Sequence, residues 1–143
     1  MRRGQISIDL LFAVTIISIT MMGVMSVALN EKVETQTFGT SAQLRVLAID
    51  VRDTMARVYA AGPGMSVVKR PPIALGTGDW INITAYQNGS LVIRALIGGK
   101  QYLVIQKLQV PPGTTSSVLL TPTNETFRIE AVKVGDGVEV LLG

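Results

Sequence analysis

Histidine and cysteine are both absent from the chain. The commonest general base, the commonest metal ligand and every thiolate site are therefore missing. Chemistry is left to carboxylates, hydroxyls, lysines and carboxamides. Asp9 is a lone acid at the mouth of a long uncharged run, a position where a carboxylate is costly and functional by default. Asn82-Ile83-Thr84, Asn88-Gly89-Ser90 and Asn124-Glu125-Thr126 are three sequons, each a candidate for N-glycosylation if it is exposed outside the cell. Asn88 falls on a predicted turn tip and Asn124 in a predicted loop. Asn82 falls inside a predicted strand and is the least favoured of the three. The remaining groupings read as structural. Asp136 between two glycines reads as a hairpin turn, and Ser116 and Ser117 have no base at a recognisable spacing. Asp79 has no second carboxylate nearby, and Gly76-Thr77-Gly78 lacks the strand–glycine–helix context of a phosphate cradle. Met21, Met22 and Met25 read as soft apolar filling. No catalytic, cofactor or metal site is expected, and the chain is read as a non-enzyme.

The element that positions Asp9 is the N-terminal stretch. Met1-Arg2-Arg3-Gly4 is a basic head, Gln5 to Asp9 a mixed hinge, and Leu10 to Leu29 twenty residues without charge. About twenty apolar residues suffice to cross a bilayer as a helix. Because the apolar positions go all the way round, the helix must be buried in lipid or protein. Thr15, Ser18, Thr20 and Ser26 are tolerated, since hydroxyls can bond back to carbonyls of the preceding turn. Arg2 and Arg3 suit positive-inside anchors, which keep the N-terminus cytoplasmic and send the rest outward. Two plainer readings stay open. One is a single-span anchor for a surface binding module. The other is a secretory signal cut after Ala28, where Ser26-Val27-Ala28 satisfies the small-x-small rule, although such apolar regions usually run only about 7–15 residues.

Gly4-Gln5-Ile6-Ser7-Ile8-Asp9 ahead of an apolar helix resembles the class III signal of archaeal type IV pilins, Gln-x-Ser-x-Glu followed by a hydrophobic run. The resemblance covers about thirty residues. It departs at Asp9, where the family usually has Glu, and at Ala13, where it often has Leu. It implies cleavage between Gly4 and Gln5 by a prepilin peptidase, with Ser7 and Asp9 in the processing and assembly signal. It further implies a membrane-held precursor, a pilus assembly ATPase and membrane platform as partners, no cofactor, and a surface filament made of copies of this chain. An adhesion filament fits better than a motor-driven archaellum, because the likeness to archaellins stops at the helix-plus-head plan.

Apart from the span, 143 residues leave room for one modest domain. Losing Arg2 and Arg3 from 13 basic residues leaves 11 against 10 acidic ones, so a sequence pI of about 9.5 says little about partners. The basic residues are scattered and aromatics make up only 5%, so no nucleic-acid surface is expected. Beyond Leu29, Leu44, Leu47, Ala48, Val51, Met55, Val58 and Tyr59 recur at helical spacing. Arg45, Arg52, Asp53 and Arg57 lie opposite, with Asp53 and Arg57 in a favourable i,i+4 order. Gly62-Pro63-Gly64 ends the helix. Whether it is continuous through the weak Thr35–Thr40 stretch around Gly39 is left open.

The remainder alternates like strands: Trp80 to Tyr86, Leu91 to Ile97, Tyr102 to Leu108, Val118 to Leu120, Phe127 to Val134 and Val138 to Leu142. Asn88-Gly89, Gly98-Gly99 and Gly135-Asp136-Gly137 are the turns. Pro111 to Thr115 reads as a loop, and Gly62 to Gly78 as a connecting segment. The expected class is α+β: a cleaved signal over 1–4, a helix over 5–61 with its lipid or filament-core part at 10–29, and an extracellular β-rich head over 62–143. The head is an antiparallel meander or sandwich of about six strands.

Overall fold

The computed structural model describes the backbone of residues 2–110 and 112–143, and their side chains except those of 2–7 and 33–37. Pro111, expected in a loop, lies outside the described residues. One helix, α1 (Arg2–Ala61), is followed by β1 (Ser66–Lys69), β2 (Trp80–Ala85), β3 (Ser90–Ile97), β4 (Lys100–Lys107), β5 (Ser116–Leu120), β6 (Phe127–Val134) and β7 (Gly137–Leu142). The class is α+β, as the residue patterns predict. The assigned helix passes through Gly39 without interruption. The chain divides there into two compact units, Met1–Gly39 and Thr40–Gly143.

In the second unit, helical spacing makes the core. Leu44, Leu47, Ala48, Val51, Met55 and Val58 are all buried and join one cluster with the inward residues of the strands. Burying each larger side chain contributes roughly 1.5–3 kcal/mol. Two members of the face differ from the sequence reading. Tyr59 is 42% exposed, because one residue beyond Val58 turns it about 100° off the stripe. Thr54 takes its place, three residues after Val51 and four before Val58, and its Oγ1 has no hydrogen-bond partner. The expected Asp53–Arg57 pair is also replaced. Asp53 accepts from Arg52 at 2.9 Å, while Arg57 Nε donates to the Asp53 backbone carbonyl at 3.3 Å. Neighbouring residues can do this because Arg52 has the reach to fold back along the helix surface. Gly62 (φ 90°) caps α1 and donates to the carbonyls of Val58 and Tyr59.

The strands form two antiparallel sheets, ordered β4-β3-β2-β5 and β1-β6-β7. β2, β3 and β4 are consecutive hairpins, but β5 returns to pair with β2, so the first sheet is not a simple meander. The Asn88-Gly89 turn spans Tyr86 to Gly89, closed by the Gly89 N–H on the Tyr86 carbonyl at 2.9 Å. Only Gly89 has positive φ, the geometry of a type I turn with a glycine bulge rather than a two-residue loop. Gly98 and Gly99 do form the expected two-residue turn, both at positive φ.

The expected connecting segment contains a strand. β1 pairs with β6, and Gly64 and Met65 extend that ladder to Ala131. Lys69 on β1 reaches Asp50 on α1 at 2.9 Å, and Arg70 pairs with Glu125. The Leu142 N–H donates to Ser116 Oγ at 3.1 Å, joining β7 to β5 across the two sheets.

Leu47→Ala should lower the unfolding free energy of the full chain in detergent by about 2–5 kcal/mol, the usual effect of emptying a core site. Ile49→Ala, on the exposed side of the same turn, should change it by under about 1 kcal/mol. Thr54→Val should raise it by about 1 kcal/mol, since an unpartnered buried hydroxyl is removed at constant shape. Thermal and denaturant unfolding followed by near-ultraviolet circular dichroism checks all three.

Candidate functional site

The first unit carries the longest apolar surface. Ile8–Lys32 is a 25-residue stretch that contains an 18-residue window of mean hydropathy 2.3, and none of it is buried. At 1.5 Å per residue it is about 37 Å long, enough for a hydrocarbon core of about 30 Å. Three of its four hydroxyls are satisfied within the helix. Thr15, Ser18 and Thr20 each donate to the carbonyl four residues earlier at 2.8 Å. From Leu10 to Leu29 the surface therefore carries no charge on any side, and the helix is compatible with membrane anchoring.

Asp9 is one residue inside this stretch, exposed, and has no ion-pair partner among the described residues. The side chains of Gly4, Gln5 and Ser7 lie outside the described residues. On a helix, the backbone nitrogen of residue 5 is about 6 Å along the axis from residue 9. An α-amino group freed at Gln5 would stand one turn from the carboxylate.

Several groups with possible chemistry have structural partners instead. Asp79 accepts from the Gly76 N–H through Oδ2 and from the Gly98 N–H through Oδ1, both at 2.9 Å. Its own N–H closes the turn on the Gly76 carbonyl at 3.0 Å. The glycine amide that a phosphate cradle would need is therefore filled by the chain's own carboxylate. Ser116 is the acceptor for β7, and Asp136 is exposed at the turn between Val134 and Gly137. Among the described residues no cluster of three or more acids could hold a metal ion.

The sequons fall in three different settings. Asn88 is exposed and its Oδ1 accepts from the Ser90 N–H at 3.0 Å, a bond that shapes the turn. Asn124 is exposed in a turn closed by reciprocal backbone bonds with Thr121. Asn82 is half-buried on the central strand β2, and Thr84 Oγ1 donates to its Oδ1 at 3.0 Å. The sequence alone marks Asn82 as a strand position without saying which sheet face it is on. The register decides that.

No protein-family model, curated protein or solved structure matches this chain.

Asp79→Ala should lower stability by about 1–3 kcal/mol, because two backbone donors lose a charged acceptor. Asp79→Asn should cost less, since a carboxamide oxygen replaces one acceptor of the two. Unfolding midpoints measured side by side check the order.

Proposed function

We propose that this chain is a pilin-like structural subunit of an archaeal type IV pilus-like surface filament, assembled through its N-terminal helix and serving adhesion. The observation that carries the reading is a lone carboxylate, Asp9, at the head of a wholly exposed apolar helix, in a Gln-x-Ser-x-Asp setting. Lipid and a dry bundle of identical helices are both apolar surroundings. Moving the helix from one to the other is nearly neutral in hydrophobic terms, so packing and the Asp9 charge direct the outcome. Cleavage before Gln5 frees an α-amino group, which ordinarily titrates at about 7.7–8.0 and is largely protonated near neutral pH. That cation pairs with Asp9 of its own chain or of a neighbour, and the second arrangement also sets axial register between copies. The precursor waits in the membrane, is cut by a prepilin peptidase, and is extruded by an assembly ATPase on its platform. The β-rich unit then lies outside the cell.

Asp9→Ala should leave membrane insertion intact, because the span only becomes more apolar. It should reduce filament yield by about tenfold or more, since an amine is left without its counter-charge in an apolar core. Asp9→Glu should retain filaments. Intact mass must show chains beginning at Gln5 in each case, because Asp9 is also part of the cleavage pattern that the resemblance implies. Normal filament yield from correctly cut Asp9→Ala contradicts the role given to Asp9. A wild-type chain beginning at Leu29 supports the secreted alternative. One beginning at Met1 or Arg2 supports a membrane-anchored module that does not polymerise.

A further inference from the structure

The outer face of the four-stranded sheet is unusual for a surface that meets water. Alternation sends Ile81, Ile83, Leu91, Ile93, Val104 and Val118 into the core, so their neighbours in each strand face outward. Pairing arranges those neighbours in rows. One runs Leu103, Arg94, Asn82, Leu119, and the next Ile105, Val92, Thr84, Ser117. Leu103 and Ile105 are 61% and 62% exposed and Leu119 is 51% exposed. None of the four strands contains an acid. An antiparallel sheet with one solvated face ordinarily carries polar residues there, and an apolar patch of this kind marks a surface that something covers.

Asn82 is in the middle of this face, with Arg94 beside it on β3 and Leu119 on β5. Asn is disfavoured in strand interiors, and here no turn or cap requires it, unlike Asn88. Its sequon partner Thr84 projects from the same face. The Thr84 hydroxyl donates to Asn82 Oδ1, and Asn82 Nδ2 has no acceptor among the described residues. We infer that Asn82 carries an N-linked oligosaccharide, and that this glycan is what covers the apolar outer face of the β4-β3-β2-β5 sheet.

The inference rests on the extracellular placement given under the proposed function. The donor is an oligosaccharide linked to a polyprenyl phosphate or diphosphate, and a membrane transferase supplies the base. Asn82 Nδ2 attacks the anomeric carbon, and a new C–N bond forms as the C–O bond to phosphate breaks. The bonding pair leaves with the polyprenyl phosphate, and one Nδ2 proton passes to the transferase base and then to water. Nothing is oxidised or reduced. Because β2 is held between β3 and β5 in the finished sheet, transfer occurs on the extended Asn82-Ile83-Thr84 segment before the sheet closes. The sugar then remains on the outside, its hydroxyls toward water and its C–H faces toward Leu103 and Leu119.

The test uses the full chain recovered from its own cells. Glycopeptide mass spectrometry with electron-transfer fragmentation should place a saccharide mass on Asn82, resolved from Asn88 in the same peptide. Asn82→Gln and Thr84→Ala should each remove it, and Thr84→Ser should restore it. The two bare variants should bind a hydrophobic dye and self-associate severalfold more than wild type, whereas removal of the Asn88 sequon should do neither. An unmodified Asn82 in wild-type material overturns the inference, as does a bare wild-type face already occupied by a second copy. The N-terminal peptide of the same digest separates the two readings. If it begins at Gln5 while Asn82 is bare, the glycan fails and the filament proposal stands.

Discussion

Exposed apolar surface at the start of α1 governs everything else in this chain. From Ile8 to Leu29 large aliphatic and sulfur-containing side chains stand more than half exposed around the whole helix. Each would release roughly 1.5–3 kcal/mol on leaving water. No polar face lets such a helix lie against an aqueous surface, and the hydroxyls of Thr15, Ser18 and Thr20 are already bonded to its own carbonyls. Something outside the chain must cover it. On the proposed function, lipid and other copies of the same helix are the two apolar solvents on offer, and Asp9 is the feature that would treat them differently. In a bilayer the carboxylate can stay at the headgroup level. In a helix bundle it needs a cation, and a free α-amino group one turn away would be the nearest source.

Further along the same helix the pattern narrows from an all-round surface to a stripe, and a different partner follows. Leu44, Leu47, Val51, Met55 and Val58 are covered by the chain's own sheets. The second unit is closed by short connections that fix its geometry. Asp79 ties the 76–79 turn to the β3–β4 hairpin, Ser116 ties β5 to β7, and Lys69 with Asp50 ties β1 to α1. Apart from the Gly76–Asp79 bond inside the turn, each of these bonds joins segments 19 or more residues apart. They account for Asp79 and Ser116, which otherwise resemble site residues.

Local features are legible in the sequence because each has a period or a turn chemistry of its own. The stripe from Leu44 and the strand alternation of Trp80–Ala85 and Ser90–Ile97 are of this kind, as is the Gly98-Gly99 turn. Legibility ends where the deciding contact is distant. β1 is four residues long among glycines and prolines, and it becomes a strand only through β6, some sixty residues later. The return of β5 to β2 has no local signal either. Polarity hides Thr54 from the helical stripe, and an apolar ring makes Tyr59 look like a member of it. The same division holds for the candidate sites. Asp9 stands out as a candidate because a lone acid before a long apolar run is anomalous in one dimension. The setting of Asn82 is not legible there, because Arg94 and Leu119 beside it and Leu103 one strand further on come from three other strands.

Electron cryomicroscopy of filaments sheared from the cell surface tests the account most directly. The filament core should be a bundle of helices fitted by residues 8–32 of this chain, with Asp9 against an α-amino group and the β sheets outside. If surface filaments contain none of this chain while all of it remains in the membrane fraction, the apolar helix is an anchor and the assembly account is wrong.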